Sequence, residues 1–211
     1  ATMVPNDPYY TGELNNQWNF KGGNGINVEP AWDISIGSGV VVAVLDTGVA
    51  DNSPDLDYAN FTLGYDFVNG DSDPVDDQGH GTHVAGTIAE STNNGIGAAG
   101  VAYGCTIMPV KVLDSSGSGT LSQLVDGIYY ASNSGADVIS MSLGFPPSVT
   151  ARKLAPLFPA LDYSYEKDVV IVAAAGNDAL SKIGYPAAYE KCIAVGATRY
   201  DGIRSYYSNY G

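Results

Sequence analysis

Basic side chains are scarce: 9 Lys and Arg stand against 23 Asp and Glu in 211 residues, a formal net charge of -14. A surface of that sign repels nucleic acid and anionic membranes, which excludes a nucleic-acid role and favours solubility or cation binding. Long apolar runs are lacking too. None approaches the roughly 18 residues of a membrane span, so no membrane role is expected. The first residues, ATMVPNDPYY, lack the basic and apolar regions of a signal peptide, and the chain reads as a processed, soluble product. Internal repeats and linkers are also missing. Only two cysteines occur, Cys105 and Cys192, each opening an apolar run (CTIMPVKVL, CIAVGAT), so both are expected on buried strands. Parity permits a disulfide. Strands several positions apart, at about 4.8 Å per strand, would exceed the roughly 7 Å limit between bridged Cα atoms, and two buried free thiols are expected.

Glycine, at 26 residues, is plentiful and punctuates the apolar runs, where turns and substrate-facing loops need backbone without a side chain. Five runs lack polar alternation: Val40 to Leu45, Thr106 to Leu113, Val138 to Leu143, Val169 to Ala175 and Cys192 to Ala197. Strands of this kind are buried on both faces, as in a parallel sheet. Helical stretches alternate with them. His83 to Ser91 is one candidate, and Leu121 to Ser134 is another, with Leu124, Ile128 and Ala131 at helical spacing and Ser118, Gly119 and Thr120 as candidate caps. The alternation predicts a single doubly wound α/β domain, with ligands at the carboxyl ends of the strands.

The run VVAVLDTG puts the carboxylate of Asp46 at such an end. An aspartic protease also shows Asp-Thr-Gly, but it needs two such carboxylates, and only one occurs here. A turn-capping Asp is the bland alternative. In GHGTHVAGT, residues 79–87, Gly79 and Gly81 flank His80 and a helix follows. The positive end of a helix dipole favours a neutral imidazole, the form a general base needs. His80 and His83 could be paired metal ligands, but the Glu of the helical His-Glu-x-x-His zinc motif is missing.

Asp-Thr-Gly followed 34 positions later by HGTHVAGT resembles the subtilase signature, in the family order Asp, His, Ser. KVLDSSGSGT, SMSLG and IVAAAGN resemble the family's two substrate strands and its oxyanion segment, and PNDPYY resembles the thermitase branch. The likeness implies an α/β, three-layer, mostly parallel sheet of the subtilisin type, truncated before the nucleophile-bearing helix. Residues 1–35 would form an N-terminal arm and first helix, and 36–211 the core. The implied activity is secreted serine endopeptidase. Asp46 would orient His80, His80 would act as general base and then acid, and Asn177 would donate to the oxyanion. The bland reading of Asn177 is a turn residue after a strand. Peptide substrate would lie extended between Gly117, Ser118 and Gly119 on one side and Ser142, Leu143 and Gly144 on the other. Ala174 and Gly176 would wall the pocket for the residue before the scissile bond. Phe145 stands where many relatives have a second Gly, and FPPSVTARKL replaces a simpler loop, so this pocket departs from the family pattern.

No Gly-Thr-Ser-Met-Ala motif occurs, and Ser205 and Ser208 lie in a segment that is not followed by a helix of small residues. The residues read as a partial machine. They are expected to be inactive alone and unstable without a complementary C-terminal part that carries the Ser, and a propeptide is a further implied partner. A catalytically dead, calcium-stabilised peptide-binding module is the alternative. The resemblance also implies calcium, which wants oxygen ligands from flexible loops. A first site would use Asp7, Asp55, the Asn94 side chain and carbonyls at Thr92, Ile96 and Ala98. A second, in the acidic stretch GYDFVNGDSDPVDD, would use Asp66, Asn69, Asp71, Asp73, the Val75 carbonyl and Asp76. An ordinary turn loop and a solvated acidic turn are the respective alternatives.

Overall fold

A computed structural model describes residues 3–11 and 17–211; the rest of the expected N-terminal arm, 1–2 and 12–16, lies outside the described residues. Each of the five apolar runs becomes a strand. In chain order the strands are β1 (Val41–Asp46), β2 (Tyr65–Asp66), β3 (Thr106–Lys111), β4 (Val138–Met141), β5 (Val170–Ala174) and β6 (Cys192–Val195). They form one sheet in the order β2-β3-β1-β4-β5-β6, with every pairing parallel. The helices are α1 (Pro8–Thr11), α2 (Glu29–Trp32), α3 (His80–Ala89), α4 (Leu121–Asn133) and α5 (Leu157–Glu166).

The pleat divides the core. Successive side chains of a strand point to opposite faces. On β1, Val42 and Val44 pack with Ala85 and Ala89 of α3, while Ala43 and Leu45 pack with Leu124 and Ile128 of α4 and Leu157 and Leu161 of α5. Helices thus cover both faces, as the alternation of runs predicts. Of the three candidate caps, Thr120 serves: its hydroxyl accepts the Gln123 N–H at 3.2 Å, and the Gln123 side chain accepts the Thr120 N–H at 2.8 Å. Such a capping box contributes about 1 kcal/mol. An aromatic cluster of Tyr10, Phe20 and Trp32 packs the N-terminal arm against the body, where Trp32 donates to the Val101 carbonyl at 2.8 Å.

The structure departs from the sequence expectation at three places. The helix expected from His83 begins at His80. The helix α5 has no counterpart in the expectation, although Leu157, Ala160, Leu161 and Ser164 are buried at helical spacing. Pro159 obscures it, yet a proline in the first turn removes no helical hydrogen bond, because the N–H groups there have no intrahelical partner. The third departure concerns β6, expected to be buried on both faces. It is an edge strand, with Ile193 56% and Val195 50% exposed. Cys105 is buried, but Cys192 is only half-buried, and both are free. Strands β1, β4 and β5 lie between the strands that follow or contain them, so the argument from strand separation holds.

Candidate active site

The end of β1 and the start of α3 meet through backbone that only glycine tolerates. Gly79 precedes α3 with φ 109°, and a Cβ at Gly81 would collide with the Gly48 carbonyl. This close approach brings His80 onto Asp46. His80 Nδ1 lies 2.7 Å from Asp46 Oδ1, which also accepts the Thr47 N–H at 2.8 Å. Asp46 is fully buried, and its Oδ2 has no hydrogen-bond partner among the described residues. The imidazole is 46% exposed, so with Nδ1 engaged, the Nε2 edge is available to a reacting group.

Asp76 and Thr47 fix this junction. Asp76 Oδ1 accepts from the N–H groups of Gln78 (2.9 Å) and Gly79 (2.8 Å) and from the Thr47 hydroxyl (2.9 Å). Its Oδ2 accepts from the Thr82 N–H at 2.9 Å and the Thr82 hydroxyl at 2.5 Å. Burial alone would raise the Asp76 carboxyl, but the hydrogen bonds from Gly79, Thr82 and Gln78 outweigh it and bring it down to about 2. Thr47 Oγ1 in turn accepts the Gly81 N–H at 2.9 Å. Lys111, at the end of β3, is buried and donates to the carbonyls of Thr47 (2.6 Å) and Leu113 (3.0 Å) and to Asp77 Oδ1 (2.6 Å). It joins the Asp46 turn to the segment that leads into residues 116–120.

Two hollows share the Ser142 to Pro146 segment, and His80 lines the larger. The larger, about 590 Å³, has Gly117, Ser118 and Gly119 on one wall and Ser142, Leu143 and Gly144 on the other, with Thr47 and His80 at one end. The smaller, about 250 Å³, is bounded by the same Ser142 to Gly144 segment and by Ala174, Gly176 and Asn177. Phe145 lines both. Asn177 is exposed in the loop after β5, and its amide makes no hydrogen bond to another described residue. The expected substrate and oxyanion residues therefore line two adjoining hollows that share the Ser142 to Pro146 wall, the larger of which includes His80. Ser205 and Ser208 are buried and line neither hollow; Ser208 Oγ accepts the Ala197 N–H at 2.9 Å.

The two expected cation sites differ. Among the described residues, no group of three His, Cys, Asp or Glu is arranged to hold a metal ion. In the first set, Asp7 is fully buried and Asp55 6% exposed, and neither has a Lys or Arg partner among the described residues. Asp7 accepts the N–H groups of Asn93 (2.8 Å) and Asn94 (3.0 Å), while Asp55 accepts the Asn94 amide (2.8 Å) and the Ala98 N–H (2.9 Å). The carbonyls of Thr92, Ile96 and Ala98 accept no hydrogen bond among the described residues. Two buried, unneutralised carboxylates and three free loop carbonyls suit a hard cation. Sequence reasoning missed Glu90 beside them. Its carboxyl is pushed up to about 7 by burial and then by the charges of Asp55 and Asp7.

The second set does not fit so well. Asp66 accepts the N–H groups of Val68 (2.7 Å) and Asn69 (2.9 Å) and the Asn69 amide (2.8 Å). Asp71 accepts the Asp73 N–H at 2.9 Å, and Val75 lies in the segment passing Gly48. Asp76, a member of the expected ligand set, engages both of its oxygens at the α3 junction.

Comparison with known proteins agrees with this geometry. The subtilase family model matches residues 37–211. The chain is 46% identical over 213 residues to a thermophilic serine proteinase of Bacillus sp. (strain AK1), covering 100% of this chain and 50% of that protein. It is 44% identical over 208 residues to thermitase of Thermoactinomyces vulgaris, covering 99% and 70%. An extracellular protease of Xanthomonas campestris is 39% identical, with 100% of this chain and 41% of that protein aligned. A solved structure described as proteases from Pseudoalteromonas arctica PAMC 21717 superposes with a TM-score of 0.86 at 38% identity, covering 99% of this chain and 70% of that one. The 211 residues thus span about half the length of the first of these relatives and less than the whole of each. Matched from residue 37 onward and carrying the Asp46 and His80 pair at the carboxyl edge of a parallel sheet, the chain belongs to the subtilase family.

Proposed function

We propose that the protein is a secreted, calcium-stabilised serine endopeptidase in which residues 1–211 supply Asp46, His80 and Asn177 and a serine outside them attacks the substrate. The observation that carries this reading is the 2.7 Å contact between His80 Nδ1 and the buried Asp46, with the other edge of the imidazole open to the cleft. Asp46 accepts a hydrogen bond from the Nδ1–H, which keeps the proton on Nδ1 and leaves the Nε2 lone pair for the serine. As the serine oxygen bonds to the scissile carbonyl carbon, His80 takes its proton. The carbonyl oxygen becomes an oxyanion facing the Asn177 amide. His80 then returns the proton to the leaving amine, the C–N bond breaks, and water releases the acyl group by the same steps in reverse roles. Extended peptide would pair with the two backbone walls of the larger hollow, which read main chain more than side chains. Calcium bound by Asp7, Asp55, Asn94 and the neighbouring carbonyls would neutralise clustered acid and tie the N-terminal arm to the body.

The test is labelling of the full-length protein with a fluorophosphonate. Labelling is expected on a serine outside residues 1–211, and His80→Ala should abolish it and peptide hydrolysis together. An intact, folded protein that binds peptides but never labels would instead favour the dead binding module.

A further inference from the structure

Asn209 clamps the loop that carries Asn177. Its side chain is 2% exposed, and it uses its full hydrogen-bonding capacity on one short segment. Oδ1 accepts the N–H groups of Asp178 (2.9 Å) and Leu180 (3.0 Å). Nδ2 donates to the Ala175 carbonyl (3.2 Å) and to Asp178 Oδ2 (3.0 Å). Its own backbone N–H donates to the Gly176 carbonyl at 2.9 Å. Those contacts reach the residues before and after Asn177 and leave Asn177 itself exposed. The flanking backbone also needs external support, because Gly176 and Ala179 have φ values of 109° and 59°. A side chain at Gly176 would collide with the Asn209 amide, so the loop and the clamp fit only each other.

From this arrangement we infer that Asn209 is a positioning residue for the oxyanion donor: it holds the 175–180 loop so that the Asn177 amide points into the smaller hollow. This inference rests on the proposed protease activity. A donor aimed at developing charge is effective only if its position is fixed before reaction. Asn209 itself borders the smaller hollow beside Asn177, but all four hydrogen bonds of its amide are spent on the loop, so its contribution acts through Asn177 and falls on the transition state more than on ground-state binding.

The experiment uses the full-length protein, with fluorophosphonate labelling of the wild type as the first step. If the wild type neither labels nor hydrolyses a chromogenic peptide anilide, the protease reading has failed and this inference goes with it. In an active wild type, Asn177→Ala should lower kcat by about 10²- to 10³-fold. Asn209→Ala should lower kcat by at least about tenfold with KM within about twofold, and should add little to Asn177→Ala, the signature of two residues acting as one unit. Asn209→Asp retains the acceptor for Asp178 and Leu180 but sets a carboxylate oxygen against Asp178 Oδ2 and the Ala175 carbonyl, and should lower kcat at least as far as Asn209→Ala. Unchanged kcat in a folded Asn209 variant would overturn the inference, as would an equal loss in the presence and absence of the Asn177 amide. If neither variant accumulates as folded protein, Asn209 is a stability residue and the inference is equally overturned.

Discussion

A lysine enclosed by protein must replace its hydration shell with fixed acceptors. Lys111, with a side chain 1% exposed, finds two carbonyls and one carboxylate, the last on Asp77, which is itself 52% exposed. The ammonium therefore serves chiefly as a three-pronged donor between the Asp46 turn and the Leu113 segment, and its ion pair contributes less. Lys111→Met keeps most of the apolar stem but leaves the Thr47 and Leu113 carbonyls without their charge-assisted partner, at a cost of about 2–3 kcal/mol. At about 2–4 °C per kcal/mol, the melting temperature of the full-length protein should fall by roughly 4–12 °C. Calorimetry showing an unchanged transition would contradict this role. Neither Lys111 nor Asn209 was legible in the sequence. A Lys inside VKVL and an Asn inside SNYG carry no local signal, because their partners lie in segments brought near only by folding. Asp46, His80 and Asn177, in contrast, stand in motifs whose glycines encode the close approach.

Among the elements, the loop between Glu90 and Gly100 has the largest electrostatic problem. It meets Asp7 of the N-terminal arm and Asp55 of the segment after β1. Glu90 stands at about 7, above its ordinary 4.5, because burial and those two charges oppose ionisation. A carboxyl raised in the folded state contributes stability that is fully present below its unfolded value and is lost as pH rises through the folded one. In the presence of a chelator the melting temperature should therefore decline between pH 5 and 8, and Glu90→Gln should flatten the decline. Added calcium should raise the transition by binding the folded state. An equal pH slope in Glu90→Gln, or a transition indifferent to calcium, would contradict these expectations. Helices α3 and α4 were readable because their glycines, cap and apolar spacing are local. The prolines around α5 obscured a helix whose buried stripe pairs with α4.

For the molecule as a whole, the two faces of the sheet are unequally covered. Helices α4 and α5 form one layer, whereas α3 lies chiefly over β1 and β3. Beside it an open groove of about 370 Å³ is lined by His83, Val84, Ile88, Met141, Val172 and Val195. Together with exposed Ile193, it presents contiguous apolar surface of the kind that needs a partner. Residues 1–211 prepared alone should therefore give no cooperative thermal transition and should bind a hydrophobic dye. A fragment carrying the family's serine segment should restore cooperativity. A sharp transition of residues 1–211 with no affinity for that fragment would refute the prediction.

The sequence by itself determined the five long strands, helices α3 and α4, the junction glycines and the identity of the three polar groups proposed for catalysis. These are recorded in periodicity and spacing, which act over a few residues. Tertiary structure alone decided that β6 lies at an edge, that Asp76 holds the start of α3, and that Asn209 grips the Asn177 loop. Each depends on which distant backbone groups meet a side chain, and hydrogen-bonding capacity already used by one partner cannot be offered to another.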